Sequence, residues 1–185
     1  MLKGINHMRL FIGMGLDQNV KNELINLQDA WLVHASKYHK TTFDNMHLTL
    51  KFLGEVNASK IDEIMIALDH NLSTIKTFDI QIEGIGSFIH DNEHILWAGI
   101  TKGKENLLVL YNKVEDAIKS ISLITNQNKF IPHITLARRV FFDYKEIPPL
   151  PLISARQKIT TITLFHSHQV QGVLTYTPLD SIQLI

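Results

Sequence analysis

An α+β protein made of two similarly built halves is what the 185-residue sequence predicts. Two observations carry this expectation. β-like apolar runs are interleaved with segments whose apolar residues recur at helical spacing. A His-x-Thr tripeptide also occurs twice, at residues 47–49 and 133–135, 86 positions apart. From Arg9 to His47 is 38 positions and from His94 to His133 is 39, so each histidine holds the same place in a strand-helix-strand unit.

The elements follow in order. "MRLFIGMGL" (8–16) reads as a strand, and 17–33 as a helix with Val20, Leu24, Leu27 and Trp31 on one stripe behind a capping Asp17. The polar "HASKYHKTTFDN" reads as a connection into the first His-x-Thr strand, which stops near Gly54. "ASKIDEIMIALDHNL" reads as a second helix, opened by Ser59 and Asp62 at capping-box spacing and carrying Ile61, Ile64, Met65 and Leu68. "FDIQIEGIGSF" alternates as a strand does, and "IHDNE" reads as a loop. The order then restarts: "HILWAGI" (94–100) as a strand, 104–121 as a helix, "PHITLA" as a strand. The tail adds "KITTITLF" and "LTYTPLDSIQLI", separated by "HSHQVQGV". "IPPLPL" (147–152) reads as a surface loop inside the second half, so one domain over 1–185 is expected, with 1–7 as an extension.

Composition narrows the function classes. With 45% hydrophobic and 19% charged residues the chain has the make-up of a globular protein. Eighteen basic residues balance eighteen acidic ones, which argues against a broad basic surface for nucleic acid or anionic membrane. No cysteine is present, so thiolate chemistry, disulfides and Cys-based zinc sites are out. The start of the chain has glycine-broken apolar residues and no cleavage-site pattern, and no stretch approaches the roughly 20 apolar residues of a membrane helix. A cytoplasmic protein with no membrane association is expected, and no obligate protein partner is evident. Of the ten histidines, His166 and His168 share a strand face, but no metal-ligand signature accompanies them, so neither metal nor cofactor is expected.

The duplicated motif carries the chemistry. Along a strand, His47 and Thr49 project to one face, as do His133 and Thr135. Brought together about a pseudo-two-fold axis, two imidazoles and two hydroxyls surround one small anionic group. One neutral imidazole can take a proton from a nucleophile while a protonated one gives a proton to a leaving oxygen. Threonine hydroxyls can donate to the non-bridging phosphoryl oxygens. By strand parity Lys51 shares this face, Arg138 falls opposite His133 unless the strand bends, and Phe52 lies off the His47 face. Phe52 and Trp97 read as core.

These segments resemble the two-histidine (2H) phosphoesterases, and within them the RNA 2',3'-cyclic phosphodiesterases once called 2'-5' RNA ligases. The resemblance runs through "RLFIGMGLDQNV", "HLTLKFLGEV", "GIGSF" with "ILWAGI", "PHITLAR" and "ITLFHSHQVQGVLTYTPL". It implies a bilobal fold with two antiparallel sheets around a central cleft, and hydrolysis of the 2',3'-cyclic phosphodiester at RNA 3' ends, or of cyclic nucleotides, to 2'-phosphomonoesters. It further implies His47 as proton donor to the leaving 3'-oxygen, His133 as the base that activates water, and Thr49 and Thr135 as holders of the phosphoryl oxygens. Lys51, Arg138, Ser167 and Tyr176 are candidate substrate contacts. Similar sequences often carry arginine where Ile131 stands, tryptophan and proline before the first motif, and basic residues in place of "IHDNEH", so few phosphate contacts are expected. Cleavage or ligation of 2'-5' linkages, and a non-catalytic RNA-end binding module, remain as alternatives.

Overall fold

The computed structural model describes residues 7–125, 129–142 and 152–185. The elements are β1 (His7–Gly15), α1 (Gln18–Leu32), β2 (Ala35–Lys40), β3 (His47–Asn57), α2 (Ile61–Leu72), β4 (Phe78–His90) and β5 (Glu93–Lys102). They continue with α3 (Lys104–Ser120), β6 (His133–Phe142), β7 (Ser154–Ile159), β8 (Thr161–Val170) and β9 (Val173–Gln183). The strands join in the order β7-β4-β5-β6-β3-β1-β8-β9, with β2 on the far edge of β6. Every described pairing is antiparallel.

Two four-strand halves are visible in that order, and the motif strands β3 and β6 are where they meet. Among the described residues, the paired Cα partners across this seam are Leu48 and Ile134, and they join the two halves into one continuous sheet. The helices cross over. α1 leaves β1 but packs on β2, β6 and β7 of the other half, while α3 leaves β5 and packs on β3 and α2. One apolar cluster therefore includes residues of both halves, from Leu10 and Ile12 to Ile134 and Val140.

α1 buries Val20, Leu24, Leu27 and Leu32 as the spacing predicts, with Trp31 half-buried at the margin. Its start differs. Asp17 holds the N-cap position without a side-chain bond, and its own N–H donates to Gln157 Oε1 at 2.8 Å. In front of α2, Asn57 accepts from the Ser59 N–H and caps a single 3-10 turn, so the cap falls earlier than the Ser59–Asp62 spacing suggests.

Two strands escaped the sequence reading. β2 lies in the polar connection: it is an edge strand, nearly all exposed, so no apolar alternation marks it and only its ladder to β6 defines it. β7 was caught only at its last two residues: "KITTITLF" joins Lys158 and Ile159 to β8, although the buried positions change phase, from Ala155, Gln157 and Ile159 to Ile162 and Leu164, across the exposed Thr160, where the chain passes from one half to the other. The loops expected at "IHDNE" and "HSHQVQGV" shrink to tight turns at Asp91–Asn92 and Gln171–Gly172, all four with positive φ as hairpin turns of this type require. Residues 1–6 and most of "IPPLPL" lie outside the described residues, and His7 already belongs to β1.

Candidate active site

The register of the motif strands shows how the site is assembled. Across the Leu48–Ile134 contact, the antiparallel register sets His47 toward Thr135 and Thr49 toward His133. Just past each threonine the strand carries an extra residue. Gly13 faces Thr49 and Ile12 faces Lys51, leaving Leu50 over; Trp97 faces Thr135 and Leu96 faces Ala137, leaving Leu136 over. The same β-bulge thus occurs at the same place in both halves, and it resets which face the following side chains occupy.

This overturns the parity argument for the residues beyond the bulge. Lys51 does not approach a phosphate between the histidines: it is 4% exposed, turned to the helix side, and ion-paired with Glu115 of α3. Arg138 moves the other way. The bend that parity required is present, and its charge bears on both His47 and His133. Phe52 is likewise carried onto the histidine face, opposite Phe11, and is 55% exposed.

Both imidazoles are oriented by one device. His47 Nδ1 lies 2.6 Å from the Asn45 carbonyl, and His133 Nδ1 lies 2.6 Å from the Ile131 carbonyl, each two residues upstream. A carbonyl only accepts, so Nδ1 carries the proton in both rings and Nε2 is left for chemistry. On His47, Nε2 is 2.8 Å from Thr49 Oγ1, whose hydroxyl donates to the neutral ring. Asn45 is itself fixed: its amide donates to the Leu174 carbonyl and accepts from the Tyr176 N–H, tying β9 to the start of β3.

Aromatic rings enclose the pair. His47 has Phe11 at 4.8 Å and Tyr176 edge-on at 5.0 Å; His133 has Phe88 edge-on at 5.0 Å and Trp97 at 6.2 Å. Trp97 lies so closely over Gly86 that a Cβ there would sit 2.3 Å from the ring. Burial pushes His47 down to about 4, against the pull of the Asn45 carbonyl, and the charges of Arg138, His133 and Lys21 add to the depression. Burial also lowers His133, with Arg138 contributing.

Of the residues named from sequence, then, His47, His133, Thr49, Thr135, Arg138 and Tyr176 come to one face, Ser167 stands across from Tyr176 in the β8–β9 pair, and Lys51 is elsewhere. Asn45, Phe11, Phe88, Trp97 and Phe52 were missed as parts of the site. The paired upstream carbonyls were within reach of the repeat, had it been extended two residues ahead of each histidine. His166 and His168 stack on one another at 4.3 Å, and among the described residues no three His, Asp or Glu side chains are grouped to hold a metal ion. A groove of about 600 Å³ lined by Ser36, Lys37, Asn92, His94, Phe141 and Phe142 opens beside β2, away from the two motifs.

Two abutting strands, each presenting a carbonyl-oriented histidine and a threonine across a pseudo-two-fold seam, define a two-histidine phosphoesterase. The family model described as the 2'-5' RNA ligase superfamily matches residues 19–165, and the chain belongs to that superfamily. It is 28% identical over 171 residues to the RNA 2',3'-cyclic phosphodiesterase of Escherichia coli, covering 92% of this chain and 93% of that protein. To the RNA 2',3'-cyclic phosphodiesterase of Thermotoga maritima it is 27% identical over 176 residues, covering 90% and 93%. The structure of E. coli LigT complexed with 3'-AMP matches with a TM-score of 0.82 at 26% identity over 97% of this chain and 99% of that one. Among the described residues no helix is long and apolar enough to cross a membrane.

Proposed function

We propose that this protein hydrolyses the 2',3'-cyclic phosphate of RNA 3' ends, or of the corresponding nucleotides, to a 2'-phosphomonoester by metal-independent acid-base catalysis. The observation that carries the reading is the pair of imidazoles held in one tautomer across the Leu48–Ile134 seam. A module that only bound RNA ends would need no such matched pair. The names of the relatives support the substrate.

In this reading water attacks phosphorus opposite the ribose 3'-oxygen. His133 Nε2 takes the proton of the water, the P–O3' bond breaks, and His47 Nε2 gives its proton to the departing oxygen. Thr49 and Thr135 donate to the non-bridging oxygens. In the free protein the Thr49 hydroxyl points at the His47 lone pair. Protonation of that nitrogen removes the acceptor and frees the hydroxyl for the phosphoryl group. The environment that depresses His47 is buried and cationic, so an entering phosphodiester anion offsets it and loads the donor.

The test is incubation of RNA ending in a 2',3'-cyclic phosphate with the protein and excess chelator, followed by identification of the product isomer. A 2'-phosphomonoester formed at undiminished rate is expected. An intact cyclic end contradicts the activity. Loss on chelation, restored by zinc or manganese, contradicts the metal-free mechanism.

A further inference from the structure

We propose that Asn45 is a positioning residue for the reaction: its side chain fastens the outer β8–β9 hairpin to the turn whose carbonyl orients His47, and so fixes the direction of that imidazole. This rests on the proposed phosphodiesterase reading and adds what holds the proton donor in place.

The outer part of the hairpin is an arm. β8 pairs with β1 over Thr163–His166, and from Ser167 through the turn to Tyr176 the described pairings are those of the hairpin with itself. In the sheet order β1 and β8 stand between β3 and β9, yet the arm reaches the start of β3. Asn45 Nδ2 donates to the Leu174 carbonyl at 2.7 Å, and the Tyr176 N–H donates to Asn45 Oδ1 at 3.1 Å. The Tyr176 ring, on the same stretch of the arm, stands edge-on to His47 at 5.0 Å. A carbonyl and an N–H two residues apart are the pair that a neighbouring parallel strand would engage, so the amide of Asn45 stands in for a strand's peptide group.

The same residue carries the carbonyl that sets the ring. Asn45 is 7% exposed and ends a turn closed by its own N–H, which donates to the Thr42 carbonyl at 3.0 Å. With its backbone N–H and both ends of its side-chain amide bonded, it has little torsional freedom left. Its carbonyl, which accepts from His47 Nδ1–H at 2.6 Å, is aimed accordingly. An amide that served only to hold the arm could stand anywhere along it; this one sits on the residue that orients the imidazole. The other half lacks the device: the carbonyl facing His133 belongs to Ile131, whose apolar side chain has nothing to bond a strand with.

Nitrogen NMR of the imidazoles and single-turnover rates test this together. Near neutral pH the wild type is expected to show His47 as the Nδ1–H tautomer alone. In Asn45→Ala, His47 should mix both tautomers while His133 keeps its one. The same variant is expected to lose about 10–100-fold on the cyclic phosphate and to recover with a diester of a much better leaving group, and in a His47→Ala background it should cost nothing further. Asn45→Asp keeps the acceptor for the Tyr176 N–H and loses the donor, so it should fall between the wild type and Asn45→Ala, and it decides the matter should the smaller side chain fail to fold. Equal losses on both substrates, a loss that adds in full to that of His47→Ala, or a His47 tautomer and rate indifferent to Asn45 would overturn the assignment. The two proposals fail separately. An intact cyclic end in the wild type sinks the hydrolysis and leaves the tautomer measurement to decide the positioning; normal hydrolysis with His47 indifferent to Asn45 sinks the positioning alone.

Discussion

A carbonyl two residues upstream decides what each histidine can do, because it accepts from the Nδ1–H and leaves Nε2 with its lone pair, which in His47 meets the Thr49 hydroxyl. The pH behaviour follows from the surroundings. His47 is held near 4 in the folded chain against 6.5 when exposed, so the unfolded chain binds the extra proton between those values. Stability is therefore complete above about 6.5 and falls as pH drops toward 4, by about 3 kcal/mol from this residue, with His133 adding in the same direction. Denaturation by urea at pH 7 and at pH 4.5 should show this loss, and His47→Ala should show less of it. An equal pH loss in the variant would mean that other groups carry it. In the proposed mechanism the same depression governs how the rate depends on pH. The kcat/KM profile reports the free enzyme and should be a bell centred on the acid side of 6.5, its limbs belonging to the coupled pair, while the kcat profile lies higher in pH because bound phosphate raises the pair. At this scale the sequence was legible for the two histidines and threonines and misleading for Lys51 and Phe52. Parity counts residues, and a bulge adds one that no residue type announces.

The strand with its bulge is the unit that builds the site, and each bulge is braced from the helix that crosses over from the other half. Under β6, the extra residue Leu136 offers its carbonyl to Thr41 N–H and to the buried Gln28 of α1 at 2.6 Å. Under β3, Lys51 meets Glu115 of α3. Removing one member of a buried ion pair strands the other charge, so Glu115→Ala should destabilise the fold by about 3–5 kcal/mol. Replacing both members with apolar residues, Lys51→Met with Glu115→Leu, should recover most of that loss. Thermal midpoints of the three proteins check this, and a single variant as stable as the wild type would show that the pair braces nothing. The helices were readable because their apolar stripes are long. β2 was not, since an exposed edge strand has no apolar face to declare it, and the break at Thr160 was hidden because β-branched residues fill both sides of it and no glycine, proline or charge marks the change of phase.

At the scale of the whole molecule, duplication explains why two ordinary-looking tripeptides become one site: the motif strands of the two halves pair at Leu48 and Ile134, between the motif residues. The near-equal spacings in the sequence made the repeat visible, but the crossing of helices between halves and the joining of both sheets into one could not be read from either half alone. The even charge balance, and Ile131 presenting only a carbonyl beside His133, predict few phosphate contacts. Binding of RNA ends should accordingly depend weakly on salt, and a slope equivalent to about six released counterions or more would reveal a basic groove that the fold creates.

The central claim is that the two histidines across the seam divide acid and base between them. Single-turnover rates of His47→Ala and His133→Ala, with a cyclic phosphate and with a diester of a much better leaving group, test it most directly. Each variant should keep its fold and lose about 10²–10⁴ in rate or more on the cyclic phosphate. The better leaving group needs no acid, so it should rescue His47→Ala and not His133→Ala. Rescue of His133→Ala alone would reverse the roles, and near-normal turnover by both single variants would contradict the account.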